Sequence, residues 1–292
     1  MLSRADVIHY REQGWVVAPA VAGAGELEAM RAELDRWIEE SRGHDANYGH
    51  DTPDGKARFD LEAGHGAERP RLRRVANPAD VSTVYRDFLW SEKVVDLVAQ
   101  LVGPDVKFYD CKLNLKLPGT DTHVGWHQDH VYDPHTNDDM LAALLALDDV
   151  SEENGCFWVV PGSHRERYSH KRDGRFVGET APELDAEFAH RAVPVVCAAG
   201  DLCLMHSWTV HGGGPNRSDR PRRILICDYV AADAWPLLPP TVPSRYSGRI
   251  VRGKPSPVAR LREGEIEMHE AYDDDSFFGL QGQKKTAGED AP

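Results

Sequence analysis

The chain has 292 residues, 41% of them hydrophobic and 28% charged, as in ordinary globular proteins. Its formal net charge of -14 disfavours nucleic acid as a partner, because an acidic surface repels the phosphate backbone. There is no run of 18 apolar residues and no apolar signal core, so we expect a cytoplasmic protein without a membrane span. This length suits one large β domain with added helices, or two small domains. The five cysteines lack CxxC spacing, which indicates reduced thiols.

The first hundred residues carry helical patterns. A capping pattern at Ser3 and Asp6 predicts a helix that ends at Gly14. A short strand follows in the sequence WVVAPAV. Residues 25–42 place their apolar side chains on one face, which is typical of an amphipathic helix. Residues 91–102 have a similar pattern, and a Gly-Pro pair ends it.

The remaining segments differ in character. Residues 43–73 are rich in Gly, His, Asp and Pro without periodicity, which predicts a long loop in a position to cover a site. From residue 105 the pattern changes to strands, and in residues 112–117 lysine and asparagine alternate with leucine in period two. A polar insertion follows at 165–192, and the proline-rich segment 236–260 predicts irregular structure.

Helices first and strands later favour a mainly β protein with flanking helices (α+β) and a jelly-roll core. We expect one domain over residues 1–272. In it, helices within 3–42 and 91–102 pack on a core of about 105–235. The composition of the last residues, 273–292, predicts a mobile tail.

The sequence GWHQDH contains a candidate metal site. His127 and Asp129 are two residues apart, so on a strand or its immediate extension both side chains point the same way. His211, in TVHGGG, is the best candidate for a third ligand. Two imidazoles and one carboxylate leave open positions, which suits non-haem iron(II) oxygenases. An HxD pair alone also occurs by chance in a chain with 14 histidines.

Arg222 begins the predicted strand RRILICDYV, eleven residues after His211. The intervening GGGPNRSDRP has the composition of a turn, so the chain is able to return beside itself. A guanidinium near the metal would bind a carboxylate bidentately. The alternative is a surface ion pair with Asp219 or Asp228.

Three sequence motifs occur in this order: NLKLPGTDTHVGWHQDHVYDP, ENGCFWVVPGSH and GDLCLMHSWTVHGGGPNRSDRPRR. Their order and spacing resemble those of the phytanoyl-CoA dioxygenase family, and the resemblance covers roughly residues 5–235. The resemblance implies a double-stranded β-helix, or cupin-like jelly roll, which uses iron(II), 2-oxoglutarate and O₂. It puts the metal ligands on His127, Asp129 and His211, and the 2-oxoglutarate arginine on Arg222.

Other roles follow from the same resemblance and from position. Asn114 lies where ectoine hydroxylase-like proteins have an asparagine facing 2-oxoglutarate; the alternative is a solvated strand face. Ser218 is a candidate second contact to the carboxylate beside Arg222. Candidates to line a pocket for a small-molecule substrate are Lys112, which would meet an anionic group, and Trp126, His130, Tyr132, His206 and Trp208.

The resemblance also separates possible reactions. Halogenating relatives have Ala or Gly in place of the carboxylate, so Asp129 disfavours halogenation. We expect hydroxylation of an unactivated C–H bond, although the sequence does not distinguish this outcome from desaturation, epoxidation or ring formation. Two alternatives use the same triad. One is a zinc-dependent hydrolase, which gives no reason for Arg222. The other is a non-catalytic jelly-roll binding protein. Nothing in the sequence indicates an oligomeric state or a particular substrate.

Overall fold

The structure is a computed structural model that describes residues 1–119 and 122–269. The predicted tail from residue 273 lies outside the described residues. In the described ranges the α-helices are α1 Arg4–Gln13, α2 Ala24–Ser41, α3 Pro78–Val81, α4 Thr83–Leu89, α5 Glu92–Val102 and α6 Asp185–Arg191. Three 3₁₀ turns lie at Asp129–Val131, Ser163–Arg165 and Pro182–Leu184. No helix of the described chain combines the length and apolar character needed to cross a bilayer.

The strands form two main sheets. The strands are β1 Trp15–Ala18, β2 Phe59–Leu61, β3 Leu72–Ala76, β4 Val106–Lys116, β5 Val124–His127, β6 Met140–Ala146, β7 Phe157–Val159, β8 Lys171–Arg172, β9 Arg175–Phe176, β10 Val193–Pro194, β11 Leu202–His206, β12 His211–Gly213, β13 Arg222–Ala231 and β14 Ile250–Arg252. The large sheet has the order β1-β11-β6-β13-β4-β3-β2, with β14 on β4. The small sheet has the order β10-β7-β12-β5, and β8 pairs with β9.

Strands β4 and β13 pair antiparallel in the middle of the large sheet and have two different faces. Leu113 and Leu225 lie on the outer face, where they join a buried cluster with residues of α2 and α5 such as Leu34 and Val98. The intervening residues, such as Lys112, point to the inner face, because side chains alternate along a strand. The helices therefore cover one face of the sheet and leave the other to line a cavity.

That cavity lies between the two sheets. The large sheet lines it with inner-face residues of β3, β4, β6, β11 and β13, and the small sheet with residues of β5, β7 and β12. Two facing sheets with helices on the outside agree with the predicted mainly β jelly roll with flanking helices.

Several local predictions are corrected by the structure. The expected loop 43–73 contains β2 and the start of β3, and the expected irregular segment 236–260 contains β14. Helices α3 and α4, at residues 78–89, were not predicted. These elements are short, so their sequences contain too few repeats for a period to emerge. The capping box at Ser3 and Asp6 is present as predicted.

Candidate active site

Two neighbouring strands and one turn bring three metal-binding side chains together. His127 is the last residue of β5, and His211 is the first residue of β12, directly opposite it. Asp129 begins the 3₁₀ turn that follows β5. The three ligand atoms lie within 4.8 Å of one another. Asp129 Oδ1 is 3.4 Å from His127 Nε2 and 3.7 Å from His211 Nε2, so all three side chains converge on one point.

Hydrogen bonds to the backbone fix which nitrogen of each imidazole carries the proton. His127 Nδ1 donates to the Gly125 carbonyl at 2.9 Å, and His211 Nδ1 donates to the Thr209 carbonyl at 3.0 Å. A carbonyl accepts only, so each proton resides on Nδ1 and leaves the Nε2 lone pair for a metal. Both rings are therefore in the tautomer and the orientation that ligands require.

The electrostatics also favour a bound cation. Burial and the neighbouring His127 lower the pKa of His211 to about 4. Burial alone would raise the pKa of Asp129, but His211 and His127 outweigh it and hold that pKa well below its usual range. At neutral pH the site therefore contains a neutral His211 and an ionised Asp129, which are the metal-binding forms of these groups.

Gln128, between two of these residues, points away from the site. Its amide donates to the carbonyls of Glu166 at 2.9 Å and Trp208 at 2.6 Å, and it accepts from the Tyr168 amide at 3.1 Å. The alternation expected for residues 127–129 thus extends two residues past the end of β5, to Asp129. These bonds also tie the segment that follows β5 to the loops around it.

One end of the cavity is cationic. Arg222, at the start of β13, is 6% exposed, and its Nε has no hydrogen-bond partner. Within the described ranges Arg222 forms no ion pair, and burial lowers its pKa to about 10. The buried Lys116 lies opposite it on β4, and the Asn114 side-chain carbonyl on the same face is buried without a partner. The donors of Arg222 and Lys116 fit a carboxylate of a ligand between the sheets.

The other end of the inner face is rich in carboxylates. Lys112 Nζ is 3.4 Å from Asp228 Oδ2, and Asp110 lies opposite Asp228 across β4 and β13. Burial raises the pKa of Asp228 to about 6, while Lys112 opposes the shift. Burial and Asp228 raise the pKa of Asp110 further. The pair therefore tends to share one proton beside an ammonium group.

The structure brings two of the six predicted substrate residues, Lys112 and Tyr132, to the cavity wall. The other four do not line it. Trp126 packs towards Phe188, and His206 lies between Tyr10 and His164. Each directly neighbours a cavity residue along a strand, His127 or Met205, and therefore points to the opposite side.

His130 and Trp208 stack on each other instead, with ring centroids 4.3 Å apart. The Trp208 indole donates to Asp138 at 2.8 Å. Ser218 also lies away from the cavity, because its hydroxyl donates to Asn216 Oδ1 at 2.8 Å inside the turn before β13. The predicted second contact to a carboxylate beside Arg222 is therefore not provided by Ser218 in this structure.

Other residues of the cavity wall were not predicted. Arg74 reaches it from β3, and Asp228 from β13. Alternation counted from Arg222 leads to Asp228 and was available as a signal. The segments around Thr52–Lys56 and Thr241–Pro243 also line the cavity, as anticipated for 43–73, but no periodic pattern identifies their individual residues.

Comparisons with known proteins agree with this geometry. The sequence model of the family "Phytanoyl-CoA dioxygenase (PhyH)" matches residues 10–224. A probable alpha-ketoglutarate-dependent hypophosphite dioxygenase of Stutzerimonas stutzeri is 35% identical over 216 residues, covering 70% of this chain and 73% of that protein. The ectoine dioxygenase of Streptomyces avermitilis is 23% identical over 261 residues, covering 84% of each chain.

Solved structures share the fold. The iron-bound EctD from S. alaskensis superposes with a TM-score of 0.70 at 21% identity, covering 88% of each chain. The alpha-ketoglutarate-dependent carbocyclase SnoK from nogalamycin biosynthesis superposes with a TM-score of 0.64 at 25% identity, covering 85% of this chain and 95% of SnoK. Fold, site and relatives together define an iron(II)- and 2-oxoglutarate-dependent oxygenase, a class that uses O₂ as its second cosubstrate. The chain belongs to the phytanoyl-CoA dioxygenase family.

Proposed function

We propose that this oxygenase hydroxylates an unactivated C–H bond of a small-molecule metabolite and converts 2-oxoglutarate to succinate and CO₂. The observation that carries the proposal is the convergence of His127, Asp129 and His211, whose ligand atoms lie within 4.8 Å of one another. Two imidazoles and a carboxylate would hold iron(II) and leave positions for the cosubstrates. When bound, iron(II) with 2-oxoglutarate and O₂ supplies the oxidant for the C–H bond.

The cationic end of the cavity supports the proposed binding position of 2-oxoglutarate. Its distal carboxylate would pair with Arg222, whose guanidinium is buried and whose Nε lacks a partner. An ion of this kind is stable when buried only if it finds an opposite charge and hydrogen bonds. Asn114 would add an amide contact along the same face of β4. The task of these residues is to position the cosubstrate and to exclude water from it.

The remaining part of the cavity would receive the substrate. Lys112, Asp228 and Arg74 put both signs of charge on its wall, and the Tyr132 ring also faces it. This composition favours a small, charged metabolite over a lipid-like one. Relatives named as 2-aminoethylphosphonate dioxygenase and L-proline trans-4-hydroxylase, 26% and 24% identical, support the same size and polarity.

The test has two stages. The anaerobic iron(II) protein titrated with 2-oxoglutarate should develop a weak visible charge-transfer band, and His211→Ala should not. A panel of small charged metabolites should then contain a compound that increases succinate formation and O₂ consumption above the uncoupled rate. Hydrolysis of a substrate with zinc, without any dependence on 2-oxoglutarate, would instead establish the hydrolase alternative.

A further inference from the structure

Lys116 is a second buried basic side chain at the end of the cavity where Arg222 lies. The two residues are direct partners in the register of β4 and β13, and they are 3% and 6% exposed. Both line the cavity. Like charges placed directly opposite each other in a sheet destabilise it unless an anion lies between or beside them.

The surroundings of Lys116 offer hydrogen bonds but little negative charge. Its Nζ donates to the Gly214 carbonyl and is 3.5 Å from the Gly155 carbonyl. Among the described residues it has no salt bridge to a carboxylate. The titratable groups that face it are Arg222 on β13, the Cys156 thiol before β7 and, more weakly, Glu62 after β2. The Glu62 carboxylate itself accepts from the Thr122 hydroxyl.

The pKa of Lys116 reflects this environment. Burial first, and the Arg222 guanidinium second, lower it to about 6. Above that pH the amine is therefore mostly neutral without a ligand. A carboxylate placed beside it would favour the charged form and raise the pKa again.

We propose that Lys116 and Arg222 together bind the distal carboxylate of 2-oxoglutarate, and that Lys116 takes up a proton from solvent as the cosubstrate binds. This inference rests on the proposed function, since it requires 2-oxoglutarate in the cavity. It assigns Lys116 as a binding residue whose charge, above about pH 6, appears only in the complex. Before binding, Arg222 is thus spared a permanent like-charged neighbour.

The glycines of β12 leave room for this arrangement. A Cβ atom at Gly213 would lie 3.3 Å from Lys116 Nζ, which is tighter than an ordinary contact. A side chain there would therefore push the ammonium away from its position or fill the space beside it. The sequence His211–Gly212–Gly213 in this way supplies a proposed metal ligand and, two residues later, space for the second cation.

The direction of the pH dependence follows from the two pKa values of Lys116. The complex has the higher pKa, so 2-oxoglutarate affinity is greatest below about pH 6 and falls as pH rises, by at most about tenfold per pH unit. The affinity stops falling above the pKa that Lys116 has in the complex. 2-Oxoglutarate itself stays fully ionised over this range, since ordinary carboxyl groups ionise near pH 4.

The experiment is calorimetry of the anaerobic iron(II) protein titrated with 2-oxoglutarate at pH 7.5, in buffers of different ionisation enthalpy. The wild type should take up close to one proton, and its affinity should fall from pH 6 to pH 8.5. Lys116→Met should bind roughly 10-fold to 100-fold more weakly near pH 6, with no uptake and a flat pH profile. Lys116→Arg carries a permanent charge, so it should keep binding but lose the uptake.

Lys107→Met is the matched control, because Lys107 is a buried lysine of the same strand that donates to a backbone carbonyl, that of Ala234, away from the cavity. Lys107→Met should take up as many protons on binding 2-oxoglutarate as the wild type does. Wild-type binding without proton uptake, or Lys116→Met with unchanged uptake and affinity, would overturn the inference. Failure of the wild type to bind 2-oxoglutarate at all would instead refute the proposed function.

Discussion

His127 and His211 lie directly opposite each other on antiparallel strands, and their ring centroids are 4.1 Å apart. Burial, and then the neighbouring His127, lower the pKa of His211, since two cationic imidazoles at this distance would repel each other. The sheet therefore holds the two rings together while His211 is neutral at pH 7 and adds no charge of its own. A divalent cation bound to both Nε2 atoms would convert this proximity into an attraction.

The first prediction concerns these ligands. His127→Ala and His211→Ala should each lose iron(II) affinity by more than the roughly 10–100-fold that loss of an outer-shell partner costs. Both variants should remain folded, since the two rings contribute little to the apolar clusters. Equilibrium dialysis of iron(II) with thermal unfolding is the measurement, and the exposed His190→Ala is the control. Near-normal iron binding by either ligand variant would exclude the proposed triad.

The second prediction concerns Asp129. Its carboxylate is directed to the same point as the two imidazoles, so it would occupy the position that a halide needs. Once the substrate is known, turnover in excess chloride should yield only oxygenated product. Mass spectrometry of the product is the measurement. A chlorine isotope pattern on it would contradict the assignment of Asp129 as a ligand.

The third prediction compares two adjacent arginines. Arg222→Ala should weaken 2-oxoglutarate binding by roughly 30-fold to a few thousand-fold, because truncating one member of a buried charge pair costs about 2–5 kcal/mol. Arg223 points to the other face, where it pairs with Asp148 at 2.8 Å and Asp35 at 2.9 Å. Arg223→Ala should therefore keep its affinity and lose stability instead.

Titration of the anaerobic iron(II) protein with 2-oxoglutarate and thermal unfolding of both variants separate these outcomes. Iron affinity should stay unchanged in each, since neither arginine belongs to the triad. If Arg223→Ala is the variant that loses 2-oxoglutarate, the proposed cosubstrate position is wrong.

The fourth prediction concerns the carboxylates Asp110 and Asp228. Both have raised pKa values in the folded protein, so the unfolded chain ionises first as pH rises from about 4, and stability falls. Asp110→Asn removes one of the two negative charges. Its unfolding free energy should therefore rise relative to wild type by at most about 1.4 kcal/mol per pH unit across the titration. Urea unfolding from pH 4 to 7.5 measures this.

The control for that experiment is Asp219→Asn, which removes an exposed carboxylate outside this pair. A difference between Asp110→Asn and wild type that stays constant with pH would mean that Asp110 and Asp228 do not share a proton. The comparison uses differences between variants, so titrations common to all of them cancel.

The sequence was most informative where a pattern repeats. Period-two alternation in residues 112–117 predicted the polar face of β4, and helical periodicity predicted α2 and α5. The spacing of His127 and Asp129 and the turn composition before Arg222 led to residues that now line one cavity. Each of these patterns lies within a short segment, so it can be recognised without knowledge of how the segments pack together.

Prediction was weaker where the decisive contacts are distant in sequence. His206 and Trp208 lie close to His211 in the chain but point away from the cavity, since proximity in sequence does not fix the facing side. Arg74 and Thr241 are far from the triad in sequence, yet they line the same wall. Their positions depend on sheet order and on loop paths, which have no periodic signature.

In strand β13 every second residue from Arg222 to Asp228 faces the cavity. The pairing with β4 shifts register only after Asp228. A single insertion or deletion within this stretch would exchange the two faces, so that hydrophobic core residues and ligand-facing residues would trade places. At the register shift after Asp228 the strand already accommodates an irregular pairing. Length variation among descendants of this chain should therefore be tolerated after residue 228 and eliminated by selection before it.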